Sequence, residues 1–160
     1  SESVFISHST RNMSLVRQLQ KHLDLYGLDG IIAEDIMEPG KYLPEKFQEK
    51  VRGCKYFMAL LTAEATLSNW VLYEIRYARQ LSKPLILLKE ESISVPSDLS
   101  LIEWVPFSKS DSTESIAHKI EEGVRSLKTG ATTPVTLPLG GIIVGGILIF
   151  LAGLALGGKK

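Results

Sequence analysis

The stretch LPEKFQEKVRGCKYFMALL, residues 43–61, contains both halves of an α/β repeat. Its first half reads as a helix that carries Pro44 in its first turn, where a missing N–H costs nothing, and stops at Gly53. Its second half, from Lys55 to Leu61, is an apolar run too short for a helix and lacks the polar–apolar alternation of a strand with one wet face. A strand of this kind is buried on both faces, which is the condition of a parallel sheet covered by helices above and below.

The same alternation extends in both directions. Upstream, SVFIS (3–7) is a buried strand, MSLVRQLQKHLDLYG (13–27) is a helix with Leu15, Leu19 and Leu23 on one face and Gly27 as its stop, and DGIIA (29–33) is a second strand. The polar loop EDIMEPGKY (34–42) follows, with Pro39-Gly40 as a turn signal. Downstream come the helix SNWVLYEIRYARQL (68–81), the strand PLILL (84–88), a shorter strand LIEWV (101–105) and the helix STESIAHKIEEGVRSL (112–127), with Ser112 or Thr113 as N-cap. The fold class is α/β: a flavodoxin-like, open five-stranded parallel sheet with helices on both faces. In such sheets ligands sit beyond the carboxyl ends of the strands, where the winding reverses. In the common strand order that place lies between the first and third strands, bordered by SHSTRN (7–12), EDIMEPG (34–40) and the start of the 68–81 helix.

That helix poses a question. Trp70, Val71, Ile75, Ala78 and Leu81 fall at helical spacing on one face, and the position completing the stripe, one turn after Trp70, is Glu74. A carboxylate there is either a structural group, paired with a nearby Arg or Lys or with Tyr73 or Tyr77, or a functional one.

Composition excludes several classes of function. Eighteen basic residues balance eighteen acidic ones without forming a basic stripe, so nucleic-acid binding is not expected. The single cysteine, Cys54, has no partner for an intrachain disulfide, which suits a reducing compartment. His8, His22 and His118 are scattered without companions at ligand spacing, so no metal is implied. A phosphate-accepting receiver needs acidic residues after the first strand, where this chain has Ser7, His8 and Ser9. The G-x-G-x-x-G of a hydride-transferring dinucleotide fold is absent.

Beyond residue 128 the sequence changes character. Residues 129–138, rich in Thr, Gly and Pro, read as a linker, and residues 139–158 as a transmembrane helix. From Leu139 to Leu156 there is no charge, and such a helix spans about 27 Å. Lys159 and Lys160 form a basic tail, which makes the whole a tail anchor with residues 1–128 facing the cytoplasm. Gly141 and Gly145, then Gly153 and Gly157, are G-x-x-x-G pairs of the kind that let membrane helices associate.

Four segments together carry a family resemblance: VFISHS (4–9); the loop, helix and strand of residues 34–62; LSNWVLYEI (67–75) with its Ser-x-Trp-x-x-x-Glu spacing; and LIEWVPF (101–107). In this order they resemble Toll/interleukin-1 receptor (TIR) domains, across nearly all of residues 4–127, and in particular the prokaryotic NAD-cleaving branch. The resemblance implies an NAD+ nucleosidase acting at the nicotinamide N-glycosidic bond, with cyclisation or conjugation of the product in some members. NAD+ is then the substrate, no separate cofactor is required, other TIR domains are partners, and the setting is prokaryotic antiviral or immune signalling. Glu74 matches the catalytic glutamate of the enzymatic members. Trp70 and Trp104 are candidates for an apolar wall, Ser7, His8 and Ser9 for the substrate-binding loop, and Arg11 for the diphosphate. Asp35 matches the loop that shapes the cleft and bridges protomers. The other implied class is a non-enzymatic adaptor that recruits TIR proteins to the membrane through the loop at 35–40.

A single carboxylate is chemically sufficient for such cleavage. Nicotinamide leaves as a neutral molecule and needs no proton, so the acid of the usual glycosidase pair is dispensable. A lone carboxylate beside the ribose can stabilise the oxocarbenium-like transition state, more strongly where water is excluded.

Overall fold

The computed structural model describes residues 1–67, 69–102, 104–129, 135–136, 141–144 and 147–150. Five strands, β1 (Glu2–Ser7), β2 (Leu28–Ile31), β3 (Tyr56–Leu61), β4 (Leu85–Glu90) and β5 (Val105–Phe107), lie parallel in the order β2-β1-β3-β4-β5. The connections are α1 (Met13–Asp24), α2 (Pro44–Gly53), α3 (Ala63–Thr66) and α4 (Asn69–Gln80), and α5 (Thr113–Thr129) follows β5. The chain steps outward from β1 to β2 and then back across to β3, so the winding reverses between β1 and β3, as expected from the sequence.

Every residue of β3 is buried, and successive side chains serve opposite layers. Tyr56, Met58 and Leu60 pack with Val16 and Leu19 of α1 and Ile116 and Ile120 of α5. Phe57, Ala59 and Leu61 pack with Phe47 and Val51 of α2 and Val71 and Ile75 of α4. On this second face Phe5 meets Phe47 edge-on with ring centroids 5.3 Å apart and stacks on Phe57 at 5.9 Å. Burying each such ring is worth roughly 1.5–3 kcal/mol, so β1, β3 and α2 are locked together directly beneath the carboxyl ends of the strands.

The turn signals perform as their chemistry requires. Gly27 ends the α1 segment at φ +74°, and Gly40 takes φ +76° in a turn closed by the Lys41 N–H donating to the Glu38 carbonyl at 3.0 Å. Ser112 caps α5, its Oγ accepting from the Ser115 N–H at 3.0 Å.

Two expectations need adjustment. The fifth strand falls at Val105–Phe107 rather than at 101–105, because a 3-10 turn at Ser97–Leu99 buries Leu99 and Ile102 and delays the extended segment. The segment expected as a transmembrane helix, residues 139–158, is described only in part. Its described residues form β7 (Gly141–Val144) and β8 (Ile147–Phe150), with β6 (Val135–Thr136) from the expected linker pairing with β7. β8 runs antiparallel along Leu85 and Ile86, the part of the β4 edge that β5 leaves open. A short run of Ile, Val and Gly meets the demands of a strand as readily as those of a helix. Residues 130–134, 137–140, 145–146 and 151–160 lie outside the described residues. Among the described residues no helix is long and apolar enough to cross a membrane.

Candidate active site

Helix α4 buries Val71, Glu74, Ile75 and Ala78, so Glu74 does occupy the core-facing stripe, at 5% exposure. Trp70 does not share that burial. It stands at the rim with 52% of its surface exposed, one turn before Glu74 and above the carboxyl end of β1. Ser68, the first residue of the Ser-x-Trp-x-x-x-Glu segment, lies outside the described residues.

The Glu74 carboxylate is held by two hydroxyls, not by an Arg or Lys and not by Tyr73 or Tyr77. Ser7, the last residue of β1, donates from Oγ to Oε1 at 2.6 Å, and Tyr42, from the loop before α2, donates to Oε2 at 3.0 Å. Burial pushes the Glu74 carboxyl up to about 7, against the opposing pull of the Ser7 and Tyr42 hydrogen bonds and of the His8 charge. The Tyr42 phenol is raised far above its ordinary range by its own burial and by the adjacent carboxylate, so it remains a donor.

Immediately after β1 the chain turns sharply. Ser9 caps this turn, its Oγ accepting from the Arg11 N–H at 3.2 Å, which holds His8 inside. The His8 side chain is 3% exposed, with Nδ1 2.8 Å from the Ser9 carbonyl and Nε2 3.1 Å from Oε1 of Glu34.

Glu74, Tyr42, His8, Ser9 and Glu34 line a cavity of about 310 Å³ at the carboxyl end of β1, together with Arg11 and Glu64, while Ser7 lies outside the lining and reaches it only through its bond to Glu74. A second groove of about 400 Å³ opens alongside, under Met37, Pro39 and Gly40. Tyr42, Trp70 and Glu34 border both. The Tyr42 and Trp70 rings lie 4.2 Å apart at 40°, and Trp70 meets Tyr73 edge-on at 6.3 Å. The site therefore offers a buried carboxylate, an aromatic wall and an exposed arginine around a nucleotide-sized space. Among the described residues no set of three or more His, Cys, Asp or Glu is arranged to hold a metal ion.

Ser7, His8, Ser9, Arg11, Trp70 and Glu74 thus come together, whereas two other candidates do not. Asp35 turns away from the cavity: Arg17 of α1 donates to its Oδ1 at 2.7 Å and Gln20 to its Oδ2 at 3.1 Å, on an exposed face. Glu34 faces the cavity in its place, since the two carboxylates stand on different faces of the 3-10 turn Ala33–Asp35. Trp104 packs against the α2–α4 layer, its indole N–H donating to the Leu99 carbonyl at 3.2 Å, and lies outside the cavity lining. Tyr42 and Glu34 escaped sequence reasoning. Only their position in the EDIMEPGKY loop hinted at them, since neither periodicity nor spacing marks a loop residue as inward-facing.

A five-stranded parallel sheet with a buried carboxylate, Glu74, at its switch point defines an open α/β domain of the flavodoxin-like class. The TIR domain model matches residues 4–122, and the chain belongs to the TIR domain family. Among solved structures it is similar to the TIR domain of the Toll-related receptor TRR-2 from Hydra magnipapillata, with 14% identity, 65% of this chain and 82% of that chain covered, and a TM-score of 0.57. It is also similar to the CMP N-glycosidase BcmB of Clostridium botulinum, with 17% identity, 75% of this chain and 98% of that chain covered, and a TM-score of 0.56. At these identities the likeness is one of fold. A search of curated proteins gives no match.

Proposed function

We propose that this TIR domain is an NAD+ glycohydrolase in which Glu74 is the catalytic carboxylate. The observation that carries the reading is the state of Glu74: buried at the switch point, facing a cavity, and oriented through both oxygens by neutral hydroxyls. A structural carboxylate at this depth is ordinarily neutralised by a directly bonded Arg or Lys. One of similar fold is a nucleotide N-glycosidase, which supports the bond type.

In the proposed reaction the bond between ribose C1′ and the pyridinium nitrogen breaks with both electrons going to nitrogen, and neutral nicotinamide departs. Glu74 stabilises the positive charge left on the ribose. Water then adds at C1′, and its proton passes to the carboxylate and on to solvent, giving ADP-ribose. Trp70 and Tyr42 supply the wall on which a ring stacks, and Arg11 faces the diphosphate.

We further propose that residues 139–158 tether the domain to a membrane and that activity rises as TIR domains assemble there, since tethering raises local concentration. In a bilayer an open hairpin leaves edge N–H and C=O groups unpaired, so the segment that pairs as strands here would take up a helix on insertion.

The test is nicotinamide release from NAD+ by the full-length protein in detergent and concentrated on liposomes, alongside Glu74→Ala. Release that vanishes in Glu74→Ala supports the reading. No release from any assembled form overturns it and leaves an adaptor whose loop at 35–40 binds other TIR domains.

A further inference from the structure

His8 sits between two acceptors. Its Nδ1 lies 2.8 Å from the Ser9 carbonyl oxygen and its Nε2 3.1 Å from the Glu34 carboxylate, with the side chain 3% exposed. A carbonyl and a carboxylate can only accept, so a neutral ring, in either tautomer, would leave one bare nitrogen facing an oxygen lone pair. Only the doubly protonated ring satisfies both contacts. Both contacts are also local to the cavity: Ser9 is fixed as the cap of its turn, and Glu34 stands on the cavity wall.

The same cavity holds Glu74. Lining the cavity with His8 are Glu34 from the loop after β2, Glu74 from α4, Tyr42 from the loop before α2, Glu64 from α3 and Arg11 from its own turn, while Asp35, turned outward to Arg17, acts on His8 only through its charge. We propose that His8 is a positioning residue: a clamped imidazolium, paired with Glu34 on the wall of the cavity that Glu74 also lines, whose charge favours the carboxylate form of Glu74.

The electrostatics run in the same direction. Burial works against the His8 charge, but the hydrogen bonds to Glu34 and to the Ser9 carbonyl outweigh it and raise the ring above its ordinary value, with a further contribution from Glu74. Glu34 is held below its ordinary value, first by the hydrogen bond from His8. Burial drives Glu74 toward its neutral form, with a smaller push from the Glu34 charge, and the hydroxyls of Ser7 and Tyr42 together with the His8 charge oppose it. A neutral Glu74 could not stabilise a cationic transition state, so the imidazolium matters to the proposed chemistry without touching the substrate. This inference deepens the glycohydrolase reading and rests on it for its functional meaning.

The experiment reads the two ionisations directly, by NMR of the imidazole nitrogens and the glutamate carboxyl carbons in the full-length chain, and does not depend on turnover. Expected are two protonated ring nitrogens on His8 at pH 7, and a drop in its midpoint of about one unit in Glu34→Gln. In His8→Gln the Glu74 midpoint should rise by roughly half a unit to one unit. Coupling is reciprocal, so in Glu74→Gln the His8 midpoint should fall by the same amount, which keeps the test intact if His8→Gln does not fold. A bare ring nitrogen on His8 at pH 7, or midpoints of His8 and Glu74 that ignore each other, would overturn the inference. Nicotinamide release is scored separately: coupled midpoints in a protein that releases none uphold the imidazolium and sink the NAD+ reading.

Discussion

Ser7 and Glu74, distant in sequence, meet through a 2.6 Å hydrogen bond that ties one carboxylate oxygen to the end of β1. The bond fixes the carboxylate to a strand paired on both sides, by β2 and β3, while the other oxygen is held by a loop residue, Tyr42. Because the Ser7 hydroxyl favours the ionised form, Ser7→Ala should move the acid limb of nicotinamide release upward by about one pH unit and cost about tenfold in kcat/KM at pH 6.5. At pH 9 most of that loss should disappear. A uniform loss at every pH would mean that Ser7 acts in some other way than by ionising Glu74.

The position of Trp70 yields a second expectation. With half its surface exposed and its ring 4.2 Å from Tyr42, it contributes little to the core but faces the space a nucleotide would fill. Trp70→Ala should therefore raise KM by roughly tenfold, equivalent to about 1.4 kcal/mol of lost stacking, with a small change in Tm. Steady-state kinetics and a thermal melt on the same sample decide it. A large fall in Tm with KM unchanged would make Trp70 a packing residue.

The elements that sequence made legible are those whose physics is local. A strand apolar throughout, a Pro at a helix start, a Gly after a helix and a Pro-Gly turn each leave a mark at their own position, and β3, α2, α1 and the Gly40 turn appear where those marks stand. Glu74 was legible because a carboxylate interrupts an apolar stripe. The direction of loop side chains was not, since that depends on what lies across the fold: Arg17 and Gln20 draw Asp35 outward, and His8 draws Glu34 inward. Trp104 misled for the same reason, its partner being a carbonyl in a turn that no periodicity announces. The apolar segment after residue 138 was ambiguous in principle, because its hydrogen-bonding form depends on whether water or lipid surrounds it.

Asp35 allows the loop reading to be tested. Its ion pair with Arg17 is exposed on both sides, so it contributes little to stability, and its carboxylate faces away from Glu74. Asp35→Asn should leave kcat/KM for the solubilised protein within about twofold and alter stability by less than about 1 kcal/mol. If activity collapses in Asp35→Asn while the melt is unchanged, the outward face of this loop takes part in the active form, as an interface between TIR domains would require.

Stability should carry the imprint of Glu74 as well. The unfolded chain releases this proton near 4.5, whereas burial raises the folded value to about 7. Between those values the folded state holds the extra proton, so stability falls as pH rises from about 4.5 to about 7 and the full penalty persists above. Glu74→Gln removes the penalty. The variant should gain on the order of 2 kcal/mol at pH 8, with the gain shrinking toward zero below pH 4.5. Melting curves across that range test it, and a variant less stable than the parent at pH 8 would show that the ionised carboxylate is favoured by its surroundings.

The contact of β8 with β4 bears on what residues 139–158 do. It consists of a short antiparallel pairing with Leu85 and Ile86, and the β7–β8 hairpin also approaches α5. The pairings of the five parallel strands and the lining of the Glu74 cavity use none of its residues. A chain ending at Lys128 should therefore fold, melt within about 4 °C of the full-length protein and keep the Ser7 and Tyr42 bonds to Glu74. It should also be absent from the membrane fraction, whereas the full-length chain should resist alkaline carbonate, and its nicotinamide release should fall unless it is crowded onto a surface by other means. A truncated chain that unfolds would make the hairpin a structural edge of the sheet, and a full-length chain extracted by carbonate would remove the tether from the proposal while leaving Glu74 and its chemistry untouched.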